Sequence, residues 1–118
     1  MPRKNSLTHA DFVRAEKAKF KRERGALFIL SFGSFAGQKT AEIKAGCVVS
    51  KKTAALAVAR NRIKRRWRAA MKQCLSAVSA PAILVFYAMR LANTASYAEI
   101  KNDVEQLVAR TIAKPRAL

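Results

Sequence analysis

Acidic residues are scarce in this chain and unevenly spread. Its 118 residues hold seven Asp and Glu against 24 Lys and Arg, a formal net charge of +17. The seven stand at Asp11, Glu16, Glu23, Glu42, Glu99, Asp103 and Glu105, and none falls between Ile43 and Ala98. Metal-assisted or acid–base cleavage of a phosphodiester needs carboxylates or histidines within hydrogen-bonding reach of one another. The one histidine, His9, reads as a surface residue. Asp103 and Glu105 are two apart on a helix and do not share a face. There is no phosphate-cradling glycine loop, no His-x-Glu and no Cys-x-x-Cys. No catalytic residue is expected, so chemistry on a nucleic acid would have to come from a partner.

Cysteine is sparse too. Cys47 and Cys74 are far apart in sequence, so two buried reduced thiols are expected rather than a disulfide or a zinc site. No apolar run approaches the roughly 20 residues that span a bilayer. Met1-Pro2-Arg3-Lys4-Asn5 leads into polar sequence and lacks the apolar stretch of a secretory signal. The expectation is a cytoplasmic protein without a membrane partner. No internal repeat or low-complexity tract occurs.

What is present is a core-forming share of apolar residues, 51%, in a length that suits one domain over residues 1–118. Residues 1–7 and 114–118 are expected to be flexible ends. A folded domain with this much like charge repels itself, and a polyanionic partner is the simplest explanation. Nucleic acid is favoured; an acidic membrane surface or an acidic protein is the competing reading.

Thr8, with Asp11 three residues on, signs the start of a short helix carrying Phe12 and Ala15 on a weak apolar side. A basic stretch from Lys17 to Arg24 follows. Ala26 to Phe32 reads as a strand, with Phe28, Leu30 and Phe32 alternating against Leu27, Ile29 and Ser31. Gly33 to Gln38 reads as a loop and Glu42 to Ser50 as a second strand, closed by Lys51-Lys52-Thr53. From Ala54 to Val78 the period becomes helical, until Ser79-Ala80-Pro81 ends it. Ile83 to Tyr87 is apolar on both sides, as in a strand inside a sheet. Ser96-Tyr97-Ala98-Glu99 is a capping box, and Ile100, Val104, Leu107, Val108 and Ile112 mark one face of the last helix. The order is that of an α/β domain with a small sheet.

The long helix is the most informative element. With Ile63 at zero on a wheel of about 100° per residue, Leu56, Ala59, Trp67, Ala70, Cys74, Ala77 and Val78 fall within ~60° and form the expected buried stripe. Arg60 and Arg66 flank it on opposite sides. Arg62 and Lys64 lie further round, and Asn61, Arg65, Arg68 and Lys72 take the far face. A merely solvated helix normally interleaves Glu with Lys at four-residue spacing; here there is no acid at all. The uncompensated cations point to a ligand. Guanidinium groups pair bidentately with phosphate oxygens and stack on bases, which suits folded RNA. Asn61 reads equally as a local cap or as a neutral contact within the cationic surface.

Val48-Val49-Ser50-Lys51-Lys52, followed by Arg60-Asn61-Arg62-Ile63-Lys64-Arg65 and Arg68, resembles the signature of the bacterial ribonuclease P protein subunit. The likeness extends to Asp11-Phe12 and to Ser96-Tyr97-Ala98-Glu99, nearly the whole chain. It implies an α+β sandwich of order αβββαβα: a four-stranded sheet packed with three helices, related to a domain of a ribosomal protein. It also implies an unusual left-handed βαβ crossover, against the usual right-handed rule. The function implied is that of a non-catalytic subunit of the ribonuclease P holoenzyme. There the RNA subunit, with its own bound Mg2+, removes the 5′ leader of precursor tRNA. On this sequence Lys51, Lys52, Arg60, Asn61, Arg62, Lys64, Arg65 and Arg68 would face the catalytic RNA. Phe12, Ile29 and Ser31 would line the leader cleft. Glu16 and Ser31 stand where family members often carry aromatics, and Arg68-Ala69 replaces a frequent Arg-Glu pair.

Three other classes fit parts of the pattern. A structural ribosomal RNA-binding protein would be equally small and basic but would support no cleavage. A DNA-binding module is disfavoured, because no helix-turn-helix or dimerising heptad is evident. A nuclease acting alone would have to cleave precursor tRNA without RNA.

Overall fold

The first helix starts where the sequence signs it. Thr8 is its extended N-cap; the Asp11 N–H donates to the Thr8 hydroxyl and the Thr8 N–H donates to the Asp11 carboxylate. Two of the amides a helix start leaves unpaired are thereby satisfied. This computed structural model describes residues 3–112. Seven regular elements follow in order: α1 (His9–Lys17), β1 (Lys21–Arg24), β2 (Phe28–Gly33), β3 (Ile43–Val48), α2 (Ala57–Cys74), β4 (Ala82–Ala88) and α3 (Tyr97–Thr111). Short 3-10 turns occupy Arg3–Asn5, Leu75–Ala77 and Arg90–Asn93. The three helices and the mixed sheet match the expected αβββαβα sandwich.

The strands order as β1-β2-β4-β3. β2 runs antiparallel to both β1 and β4, while β3 and β4 are parallel and are joined through α2. β1 was not separable as a strand by pattern, because Lys21-Arg22-Glu23-Arg24 has no apolar alternation. It is an edge strand whose ladder to β2 (Arg22 opposite Ser31, Arg24 opposite Ile29) supplies what its side chains do not.

Register sorts the side chains into two layers. Phe28, Leu30, Leu84, Phe86 and Ala45 face α2 and α3, and join Ile63, Trp67, Ala70, Met71, Ile100, Val104 and Leu107 in the main core. Ile83 and Val85 face the other way and are covered by Ala15 of α1, with Phe12, Phe20 and Phe35 around them. The capping box expected at Ser96 and Glu99 opens α3.

The structure corrects several sequence readings. α2 begins at Ala57 rather than Ala54. Leu56 is its extended N-cap and stands 68% exposed rather than on the buried stripe. Its C-terminal end is Cys74, after which a 3-10 turn leaves Ala77 exposed and tucks Val78 into the core. Met71, about 80° from Ile63 on the wheel, is also fully buried, as part of the main core. Residues 3–7 are not a free end: the Asn5 amide donates to the Ile43 carbonyl at 2.8 Å and the Leu7 N–H to the Ala45 carbonyl at 3.2 Å. Residues 1, 2 and 114–118, also expected to be flexible, lie outside the described residues.

Candidate nucleic-acid interface

α2 presents its cations on two flanks and a ridge. Arg62 and Arg66 lean toward the segment leading into α3. Arg66 donates to the Ala95 carbonyl at 2.9 Å and Arg62 to the Asn93 carbonyl at 3.2 Å. Arg60 bends back to the helix start and donates to the Ala54 and Ala55 carbonyls at 2.9 and 2.7 Å. It had been expected to project outward. Instead it satisfies two carbonyls of the loop before α2, whose N-cap Leu56 has no side-chain acceptor to offer. Asn61, Arg65 and Arg68 are exposed, as are Lys51 and Lys52 in the turn after β3. Asn61 lies inside α2, past its first turn, so it does not cap the helix.

Four of the carboxylates are engaged elsewhere. Asp11 meets Lys44 at 3.4 Å, Glu23 meets Arg110 at 3.2 Å, and Glu105 meets Lys101 at 3.9 Å. Asp103 is 5% exposed and accepts the N–H groups of Ala26, Leu27 and Phe28 at 2.8–3.0 Å, pinning the β1–β2 connection to α3. Among the described residues no α2 cation has a carboxylate partner. Nor, among them, do three His, Cys, Asp or Glu side chains meet in a way that could hold a metal ion.

The residues expected at a second surface lie on the sheet face under α1 or against it. The tip of the Phe12 ring packs against Gly46, where a Cβ would collide with it. Ile29 is half-buried on the same sheet face. Ser31 is on that face too, but it is 5% exposed. Wedged between Val85 of β4 and Arg22 of β1, it belongs to the floor and does not line an open cleft. Tyr87, opposite Ile29, was missed; its half-buried ring carries the Arg22 guanidinium 5.2 Å from its centroid. Burial raises its phenol pKa, the Glu16 charge adds to that, and Arg22 opposes it. Two-residue alternation from Ile83 and Val85 would have placed Tyr87 on this face.

Phe12 and α2 also meet around the outer edge of β3. A cleft of about 200 Å³ there is lined by Phe12, Gly46, Cys47, Lys64, Trp67 and Arg68, among others. Burial pushes the Cys47 thiol up to about 12, although Lys64 and Arg68 pull the other way. The sequence reading had assigned Phe12 to one surface and Lys64 and Arg68 to another; the fold brings all three together.

No helix among the described residues is long and apolar enough to cross a membrane. Residues 1–112 match the family described as Ribonuclease P. The chain is 33% identical over 110 residues to the ribonuclease P protein component of Pseudanabaena sp. (strain PCC 6903), covering 93% of each. The Staphylococcus aureus RNase P protein superposes with a TM-score of 0.78 at 26% identity, over 93% of this chain and 98% of that one. The RNase P protein from Thermotoga maritima shares the fold, with a TM-score of 0.74 at 19% identity over 89% and 96% of the two chains. With the family model spanning nearly the whole chain and the relative 33% identical over 93% of it, the chain belongs to the ribonuclease P protein family.

Proposed function

We propose that this chain is the protein subunit of a cytoplasmic ribonuclease P holoenzyme, binding a catalytic RNA and the single-stranded 5′ leader of precursor tRNA. The observation that carries this reading is the unpaired cationic surface of α2. A helix whose arginines are tethered to backbone carbonyls or left free, with no internal carboxylate, is matched to phosphates supplied from outside. Lys51, Lys52, Asn61, Arg62 and Arg65 form the outer part of that surface. Phe12, Ile29 and Tyr87 offer apolar and aromatic faces to unpaired bases on the other side of the sheet, a contact typically worth ~1–3 kcal/mol per base.

Mg2+ held by the RNA would supply the hydrolytic chemistry. The protein's own residues bind the leader, hold it against the RNA and screen the charge of two polyanions brought together. The test is reconstitution. The chain added to a ribonuclease P RNA at low Mg2+ should restore 5′ maturation of precursor tRNA. Failure to stimulate cleavage, or equal affinity for an unrelated folded RNA such as ribosomal RNA, would favour a structural RNA-binding role instead.

A further inference from the structure

The row of cross-strand neighbours that carries Tyr87 runs the full width of the sheet. Val48 of β3, Tyr87 of β4, Ile29 of β2 and Arg24 of β1 stand opposite one another in register, ~5 Å apart from strand to strand. Val48, Tyr87 and Ile29 are half-buried and Arg24 is exposed. Two apolar side chains and an aromatic one thus lead to a cation at the open edge of β1. That edge belongs to the second basic run of the sequence. Lys17, Lys19, Lys21, Arg22 and Arg24 are all exposed, and among the described residues none of them has a carboxylate partner. Arg22 is occupied by the Tyr87 ring; Arg24 is free.

Around the edge lies a groove of about 440 Å³ between the β1–β2 connection and α3. Arg24 and Gly25 line one wall, and Asn102, Gln106 and Arg110 the other. The Gln106 amide donates to the Asn102 side-chain oxygen at 3.4 Å. That bond leaves an N–H donor on Asn102 and an oxygen acceptor on Gln106, neither used within the described residues. A donor beside an acceptor is what the edge of a base requires. Arg110 is held by Glu23 at 3.2 Å and by the Arg24 carbonyl at 3.3 Å, which fixes the far end of the groove. The two carboxylates in the lining are already engaged: Asp103 by the three amides of the connection, Glu99 by the Ser96 cap.

We propose that this groove is a separate site for single-stranded RNA, taking the upstream part of a long leader after it has crossed the sheet. A phosphate rests on Arg24 as the strand turns over the edge of β1, and the base that follows meets the amides of Asn102 and Gln106. The inference rests on the proposed function, since the occupant is chosen by continuity: the row of Val48, Tyr87 and Ile29 delivers a strand to Arg24 and to nothing else. A free guanidinium next to a donor and an acceptor suits a nucleotide better than an acidic peptide, whose carboxylates would use the cation and leave the amides idle.

The experiment uses holoenzyme assembled from the full chain and a catalytic RNA, with precursor tRNAs whose leaders lengthen one nucleotide at a time. Substrate affinity should rise in two steps, the first as the leader covers the sheet face and the second as it passes Arg24. Arg24→Ala should remove roughly tenfold from the second step, and Asn102→Ala combined with Gln106→Ala roughly fivefold. The first step and the affinity of protein for RNA subunit should stay as in the wild type. All three side chains are exposed, and circular dichroism should report a native fold. Lys39→Ala removes an equal charge from the loop beyond the other end of β2 and should leave both steps unchanged. A single step in the wild type, or a second step that survives both sets of substitutions, makes the groove assignment wrong while the broader function stands. Equal losses from Arg24→Ala and Lys39→Ala would mean general attraction by charge and would overturn it too. A wild-type holoenzyme whose affinity ignores leader length altogether takes the proposed leader binding down as well.

Discussion

At the scale of single residues, the strongest consequences belong to groups whose partners lie far off in sequence. Asp103 reads in sequence as one more polar position on α3, yet both its carboxylate oxygens are used by three backbone amides of the β1–β2 connection. Asp103→Ala strands those donors in a buried place and should cost about 3–5 kcal/mol, measured by urea denaturation. A loss below ~1 kcal/mol would mean that water replaces the carboxylate. Trp67 was expected in the core from its place on the wheel, and it is there, 2% exposed with its ring 5.5 Å from that of Phe86. Trp67→Ala should destabilise by ~3–5 kcal/mol as a cavity-forming truncation; an unchanged melting temperature would contradict its burial. Cys47 leads to a chemical expectation. With its thiol raised to about 12 by burial, almost no thiolate exists at pH 8, so alkylation by iodoacetamide should be far slower in the folded protein than in urea.

At the scale of elements, legibility followed the locality of the signal. The starts of α1 and α3 were readable because a capping box lies within four consecutive residues, and both boxes form. The stripe of α2 was readable from Ala59 to Cys74, but its ends were not. Nothing local announces that Leu56 serves as an exposed N-cap, or that the chain tightens into a 3-10 turn at Leu75. β1 was invisible because its pairing is entirely a property of β2. In the site, the cationic ridge was legible from the missing carboxylates; the placing of Phe12, Lys64 and Arg68 around one cleft was not, because it wraps around a strand edge. The two caps have a pH consequence. Burial resists ionisation of Asp11, but hydrogen bonds from the Thr8 amide and hydroxyl and the charge of Lys44 outweigh it, so its pKa is lowered; the Ser96 amide and hydroxyl lower that of Glu99. A carboxylate depressed in the folded state stabilises above its unfolded pKa, near 4, and that contribution disappears as pH falls through the folded value. Helical ellipticity should therefore decline below about pH 4. Thr8→Ala and Ser96→Ala should each reproduce part of that loss at neutral pH, at about 1 kcal/mol.

For the whole molecule the governing quantity is +17 on a domain with a radius of gyration of 13.6 Å. Charges packed this closely repel wherever they are not screened, and a partner that neutralises them removes that repulsion. The binding of RNA should accordingly be driven largely by release of its condensed cations. Lys51, Lys52, Arg62, Lys64, Arg65 and Arg68 all reach the surface. If each neutralises one phosphate, the logarithm of the association constant should fall with the logarithm of salt at a slope of roughly −4 to −5. A fourfold rise in salt then weakens binding by several hundredfold or more. Replacing Arg65 by Ala should reduce the slope by about one unit as well as the affinity. Arg60 should behave differently, because its guanidinium is occupied by the Ala54 and Ala55 carbonyls. Arg60→Ala should loosen the start of α2 and lower the melting temperature while changing the slope little. A slope near zero for the wild-type chain would mean that the cations of α2 do not meet phosphates, whatever the affinity.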